Sequence, residues 1–203
     1  MPTIRLLCKR IASFYVQNGY IHSNQQAWCT YTLEKSITSF LFMSALLLIG
    51  CCLTNPLNII SFLISLFLIR QRSGGYHAFS PVKCLLGSLM LLLISFFGFR
   101  VLQLLASRWS IILLISATVI LCMTPAVNHP SLHLLEKELR QNHRLSMRII
   151  LCEFVILLFC LHCPLTQEFS MWGILGMFDA SILVILGRHQ RFKEVTNIET
   201  YNT

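Results

Sequence analysis

ITSFLFMSALLLIGCCLTNPLNIISFLISLFLIR, residues Ile37 to Arg70, carries no charge until its final arginine. A single helix from Ile37 to Ile69 would measure roughly 50 Å at 1.5 Å per residue, too long for one crossing of a bilayer about 30 Å thick. Asn55-Pro56 interrupts the run, because proline removes a backbone donor and disfavours helix in the residue before it. The stretch therefore reads as a tight hairpin of two membrane helices, the second being the weaker. The rest of the chain follows suit. Of its 203 residues 55% are hydrophobic and only 12% charged, with mean hydropathy +0.68, a balance foreign to soluble domains.

Six leucine-rich blocks recur: Ile37 to Leu53, Leu57 to Ile69, Cys84 to Phe99, Ser110 to Met123, Ile149 to Cys163 and Phe169 to Leu186. The reading is an all-α membrane protein with about six short transmembrane helices. Each block falls short of the roughly 20 residues a span requires. Lys35, Arg70, Arg100, Arg108, Arg148 and Arg188 stand just outside the blocks, where long side chains reach the headgroups while their stems stay in lipid. The whole of residues 1–203 reads as one integral-membrane domain, with a cytoplasmic N-terminal region over 1–36, helices and loops over 37–187 and a cytoplasmic tail over 188–203. The start lacks the apolar core and cleavage site of a secretory signal. Instead Ile4, Leu7, Cys8, Ile11, Phe14 and Tyr15 recur at helical spacing beside Arg5, Lys9 and Arg10. Such an amphipathic helix lies flat on an anionic leaflet or is a soluble helix packed on the protein's own loops.

The net charge of +8 follows from orientation and does not call for nucleic acid. With six spans and a cytoplasmic N-terminus, 14 of the 16 basic residues fall on inside segments, and only Arg100 and Arg108 fall outside. Both termini are then cytoplasmic. Trp109 and Trp172 fall at expected outer span ends, where amphipathic rings favour the interface. Nine cysteines, an odd number, do not read as a disulfide framework in this setting. Most sit in apolar blocks as small hydrophobes. Cys160 and Cys163 of "CLHC" lack the second ligand pair that zinc normally requires.

The first inside loop, "RQRSGGYHAFSPVKC" from Arg70 to Cys84, carries the chemistry. Ser80 suits an N-cap and Pro81 the first helical position, which puts Cys84 in the first turn of the next helix. There the orphan backbone N–H groups and the dipole's positive end favour the thiolate, the reactive form of cysteine, and Lys83 adds a nearby charge. His77 would stand two turns away on an unbroken helix, but Gly74 and Gly75 on one side and Pro81 on the other let the segment fold back. An imidazole paired with a thiol is a minimal activated nucleophile for peptide cleavage. The plain alternative is a chance loop histidine beside a helix-start cysteine.

Arg70, four residues, Gly75, one residue, His77-Ala78, five residues and Cys84, between hydrophobic segments of a roughly 200-residue chain, resembles the accessory gene regulator protein B (AgrB) family. "TPAVNHPS" from Thr124 to Ser131, followed by Lys137, Arg140, Arg144 and Arg148, is similar to the family's second cytoplasmic loop. Asp179 in "LGMFDASILVIL" falls where the family tends to carry a glutamate in its last span. The resemblance implies a membrane cysteine endopeptidase of a Gram-positive bacterium, with Cys84 the nucleophile and His77 its base and acid. Arg70, Gly74, Gly75, Ser80, Lys83 and Asp179 would then bind substrate or shape the site. It further implies an AgrD-like precursor with an amphipathic leader and acidic tail, cleaved through a thioester and cyclised to a thiolactone or lactone for quorum sensing. A homodimer is implied as well, and no cofactor. Arg70 reads equally as a topology charge. Asp179 reads as part of a substrate path, a packing hydrogen bond or a protonated acid. Glu153, at the inner end of the fifth span, is explained by pairing with Arg148 or Arg144. The rival function is a small transporter or peptide exporter whose polar route is lined by Asp179, Glu153 and Arg100.

Overall fold

A computed structural model describes residues 2–73, 81–105, 107–124 and 136–201, without the side chains of residues 2, 3, 72, 73, 81–83, 136–139 and 190–201. Among them the chain is all helical: α1 (Pro2–Gln17), a 3-10 turn (Ser23–Gln25), α2 (Gln26–Leu53), α3 (Pro56–Ser73), α4 (Pro81–Leu104), α5 (Ser107–Met123), α6 (Glu136–His162) and α7 (Gln167–Tyr201). α2, α4, α6 and α7 are long and apolar enough to cross a membrane, and α3 and α5 are shorter apolar helices. The helices outrun the apolar blocks. α2 begins eleven residues ahead of Ile37, α6 thirteen ahead of Ile149, and α7 continues fifteen beyond Leu186, so the stretch from Arg188 to Tyr201 is helix. Helix propagation adds a hydrogen bond per residue whether or not the residue is apolar, so it does not stop at the edge of the apolar core.

The break in the opening stretch falls where the sequence puts it. α2 ends at Leu53 and α3 starts at Pro56. Asn55 caps α3: its Oδ1 accepts from the Leu57 amide at 3.0 Å and its carbonyl from the Asn58 amide at 3.0 Å. Gly50 of α2 meets α3 closely, since a Cβ there would stand 2.7 Å from Ile59.

α3, whose apolar block is the shortest of the six, sits at the centre. Its most extensive neighbour is α7, and α5, α6 and α4 also pack on α7. Within its best 18-residue window α7 is 72% buried, against at most 28% for the other long helices. Small residues explain the pairing. A Cβ on Gly173 would meet the Ser61 hydroxyl at 2.8 Å, and one on Gly176 would run into the Phe62 carbonyl. Lipid tails are as apolar as leucine, so helices associate in bilayers where small residues allow backbones to approach and polar groups to bond across. The Ser61 hydroxyl donates to the Phe169 carbonyl at 2.9 Å, and the Ser170 hydroxyl to the Leu157 carbonyl at 2.6 Å. Such bonds average about 0.6 kcal/mol in membranes, so the close packing they accompany carries most of the contact.

Trp172 departs from the interfacial role its position suggested. It is fully buried, with its ring 6.1 Å from Phe62 and 5.0 Å from Phe99. The aromatic pocket offered by α3 and α4 outweighs the interface, whereas Trp109 is 47% exposed. α1 packs on the protein itself, against a helix rather than against loops. Cys8 and Ala12 are buried and Gln26 donates to the Ser13 hydroxyl at 2.9 Å, which docks α1 on α2. Leu6, Leu7 and Phe14 remain exposed. Gly19, at φ +72°, reverses the chain between the two helices.

Candidate active site

α4 opens at Pro81, and Cys84 lies in its first turn. Arg70 stands on the last turn of α3, one turn short of Ser73. Both side chains are half-buried, and the Arg70 guanidinium donates from Nη2 to the Cys84 sulfur at 3.5 Å. Fourteen residues separate them in sequence. The contact therefore draws together the two helix ends that bound the connection from 74 to 80. A guanidinium at a sulfur offers a charge-assisted donor to the anionic form of the thiol, with the planar geometry of arginine. Gly74, Gly75, His77 and Ser80 lie outside the described residues, and so does the segment from 125 to 135 that holds most of "TPAVNHPS" and Lys137's approach. Lys83 occupies the first turn of α4.

Asp179 lies elsewhere. Buried on α7, it accepts a hydrogen bond from the Ser95 hydroxyl at 2.7 Å. Ser95 stands eleven residues beyond Cys84 on α4, roughly 16 Å along the axis. Glu153 takes neither Arg148 nor Arg144 as its hydrogen-bond partner. It is buried against α3 beside the Ser65 hydroxyl, and among the described residues its Oε2 has no hydrogen-bond partner. The arginines are exposed: their long stems carry the charge toward the surface, while the shorter Glu153 side chain stays buried among the helices. Glu153 and Ser65 border a cleft of about 350 Å³ between α3 and α6, from Phe169 at one end to Arg148 at the other. Arg100, the third member of the transporter route, instead lies over the Phe96 ring at 5.4 Å on its own helix.

Sequence reasoning missed Ser95 and Ser65. Serines in apolar helices carry no hydropathy signal. The spacing was nevertheless present, since eleven residues return a helix to the same face, and Cys84 and Ser95 share one face of α4.

The comparison with protein families decides what this assembly belongs to: the family described as Accessory gene regulator B matches residues 8–186. The chain belongs to the AgrB family. Membership makes it a multi-pass protein of the bacterial membrane and a peptidase that processes AgrD, a quorum-sensing peptide precursor. Neither the curated proteins nor the solved structures provide a match. The match to AgrB runs through α1 to α7 and stops at Leu186, where the apolar part of α7 ends, so it covers the helical bundle as one unit.

Proposed function

We propose that this AgrB protein is a cysteine endopeptidase in which Cys84 is the nucleophile and His77 its general base and acid. His77 accepts the thiol proton and the thiolate attacks the carbonyl carbon of one peptide bond in the precursor. The C–N bond breaks, His77 returns the proton to the leaving amine, and the acidic C-terminal tail departs while the remainder stays on Cys84 as a thioester. A thiol or hydroxyl of the precursor itself then attacks the thioester carbonyl, forming a thiolactone or lactone and restoring the Cys84 thiol. A boundary where water is scarce favours this closure over hydrolysis.

The Arg70–Cys84 contact carries this reading. It brings together the ends of the connection that holds His77, which is four residues from Ser73 and four from Pro81. At no more than about 3.6 Å per residue, the covalent chain keeps the His77 backbone within about 14 Å of either end. Backbone amides around Gly75 and the start of α4 are the candidate oxyanion donors. Gly74 supplies the bend, Ser80 the cap and Lys83 further positive charge for an acidic tail. Arg70 orients the thiolate or pairs with a substrate carboxylate.

The topology belongs to the same proposal: six crossings with both termini cytoplasmic. α3 and α5, at 18 and 17 residues, reach about 27 and 25 Å, enough when flanking arginines extend to the headgroups. The site then faces the cytosol, where a precursor leader can lie in the plane of the membrane, and the bundle is proposed to pair as a homodimer. Cys163 gives a direct check, because it follows α6 at the opposite end from Cys84. A hydrogen bond from the Leu165 backbone amide holds its thiol below the ordinary thiol range. In chains retaining one cysteine, a membrane-impermeant maleimide is expected to label Cys163 from outside intact cells and Cys84 only after permeabilisation. Since a depressed value keeps thiolate present at lower pH, Cys163 labelling should persist below the pH at which a free thiol slows.

The experiment for the chemistry is to trap the acyl-enzyme. Vesicles with the full chain, given precursor and quenched in acid, are expected to yield an adduct of Cys84 whose mass equals the precursor without its tail, released by neutral hydroxylamine. Tail release with the adduct on another residue, or with none, overturns the proposal.

A further inference from the structure

α4 carries the proposed nucleophile, and its own packing says little about how far it is turned about its axis. Its buried residues Leu92, Ser95, Phe99 and Leu102 follow one another at steps of three, four and three, a narrow seam against the rest of the bundle. Leu86, Met90, Ile94, Phe97 and Val101 are exposed. Three of the four seam residues are apolar, and leucine against lipid is nearly equivalent to leucine against a neighbouring helix, so they resist rotation weakly. Ser95 is different, because its hydroxyl donates to Asp179 at 2.7 Å in a buried, directional hydrogen bond.

The register connects this bond to the thiol. At 100° per residue, eleven residues from Cys84 to Ser95 amount to three turns and about 20°, so the two side chains leave α4 in nearly one direction. Turning α4 so that Ser95 meets Asp179 also turns Cys84 toward α3, where Arg70 receives it. Misturning by one residue position, 100°, would carry a Cα at 2.3 Å radius about 3.5 Å sideways and remove the sulfur from the guanidinium.

We propose that Asp179 is a positioning residue that acts through Ser95: by accepting its hydroxyl proton it fixes the rotation of α4 and so aims Cys84 at Arg70, about 16 Å away along the same face. The proposal rests on Cys84 being the nucleophile, but its geometry can be tested apart from catalysis. An ionisable side chain inside a span is costly and calls for a reason. Neither the Cys84 sulfur nor its neighbours touch Asp179, and the Ser95 bond supplies one.

The test uses the full chain in vesicles, with Ser95→Ala and Asp179→Leu to remove the bond, and Ser95→Thr and Asp179→Asn to keep a donor and an acceptor. Two quantities are read for each: kcat and KM for precursor cleavage, and the rate at which iodoacetamide alkylates Cys84. Displacements near 1 Å cost up to about 100-fold in rate. Ser95→Ala and Asp179→Leu are expected to lower kcat by about 10- to 100-fold with KM within about twofold, and to change the alkylation rate in parallel. The double variant should be no worse than the worse single, because both remove one interaction. Ser95→Thr and Asp179→Asn should stay within about threefold of the parent. Ser95→Ala loses only one oxygen and guards against misfolding of the aspartate variants. Parent-like kcat and alkylation in Ser95→Ala overturn the proposal. So do multiplying effects in the double variant, or an Asp179→Asn as impaired as Asp179→Leu, which would mark a role for the charge itself. If Cys84→Ala still cleaves, the nucleophile assignment fails, while the alkylation series still decides the positioning.

Discussion

Replacing Cys84 with alanine is expected to lower release of the precursor's tail by at least about 10³-fold in vesicles carrying the full chain, the scale of loss when a covalent nucleophile is removed. His77→Ala should fall almost as far, and the double variant no further, because the two act as one unit. The argument is chemical. A thiol without a base attacks slowly, and a base without a thiol has nothing to activate. The measurement is tail release followed by mass spectrometry, with precursor binding measured beside it. Binding should change less than about threefold, since truncating a nucleophile removes a bond made only during reaction. A transporter or exporter with an incidental loop cysteine would keep its activity in Cys84→Ala. Undiminished cleavage in either variant would remove the dyad.

The second large effect falls far from the thiol. Gly176→Leu is expected to prevent accumulation of a folded, monodisperse protein, and Gly176→Ala to lower the midpoint of thermal unfolding in detergent by about 6–12 °C. The Cβ of any residue at 176 runs into the Phe62 carbonyl, which is backbone of α3 and cannot rotate away. α3 and α7 must then separate, and the Ser61 hydrogen bond and the Phe62–Trp172 ring contact lie along the same interface. Overpacking typically costs about 1–3 kcal/mol. At about 2–4 °C per kcal/mol for a chain of this size, the upper end gives the stated shift. Gly87→Ala is the control: nothing lies within 4 Å of its Cβ position, and the change should be neutral or slightly stabilising. Equal melting of the two alanine variants would show that α3 and α7 are not held as closely as described.

The sequence by itself determined what is local. Proline after asparagine ended one helix and started another at Asn55-Pro56. A proline at 81 opened α4 and put Cys84 in its first turn, and the loop pattern from Arg70 to Cys84 pointed to the AgrB family. Only the tertiary structure decided which helices meet. α3 read as the weakest span because its apolar block, Leu57 to Ile69, is the shortest of the six, yet its Ser61 and Ser65 are what α7 and α6 pack against. Trp172 looked interfacial from its distance to the span end, yet it closes a core. Ser95 and Asp179 are 84 residues apart and became partners only when α4 lay beside α7. The physical reason is common to all of these. Hydropathy reports transfer from water to lipid, and it is silent about exchange of lipid for a neighbouring helix, where close approach of small residues and the satisfaction of a few polar groups select the partner.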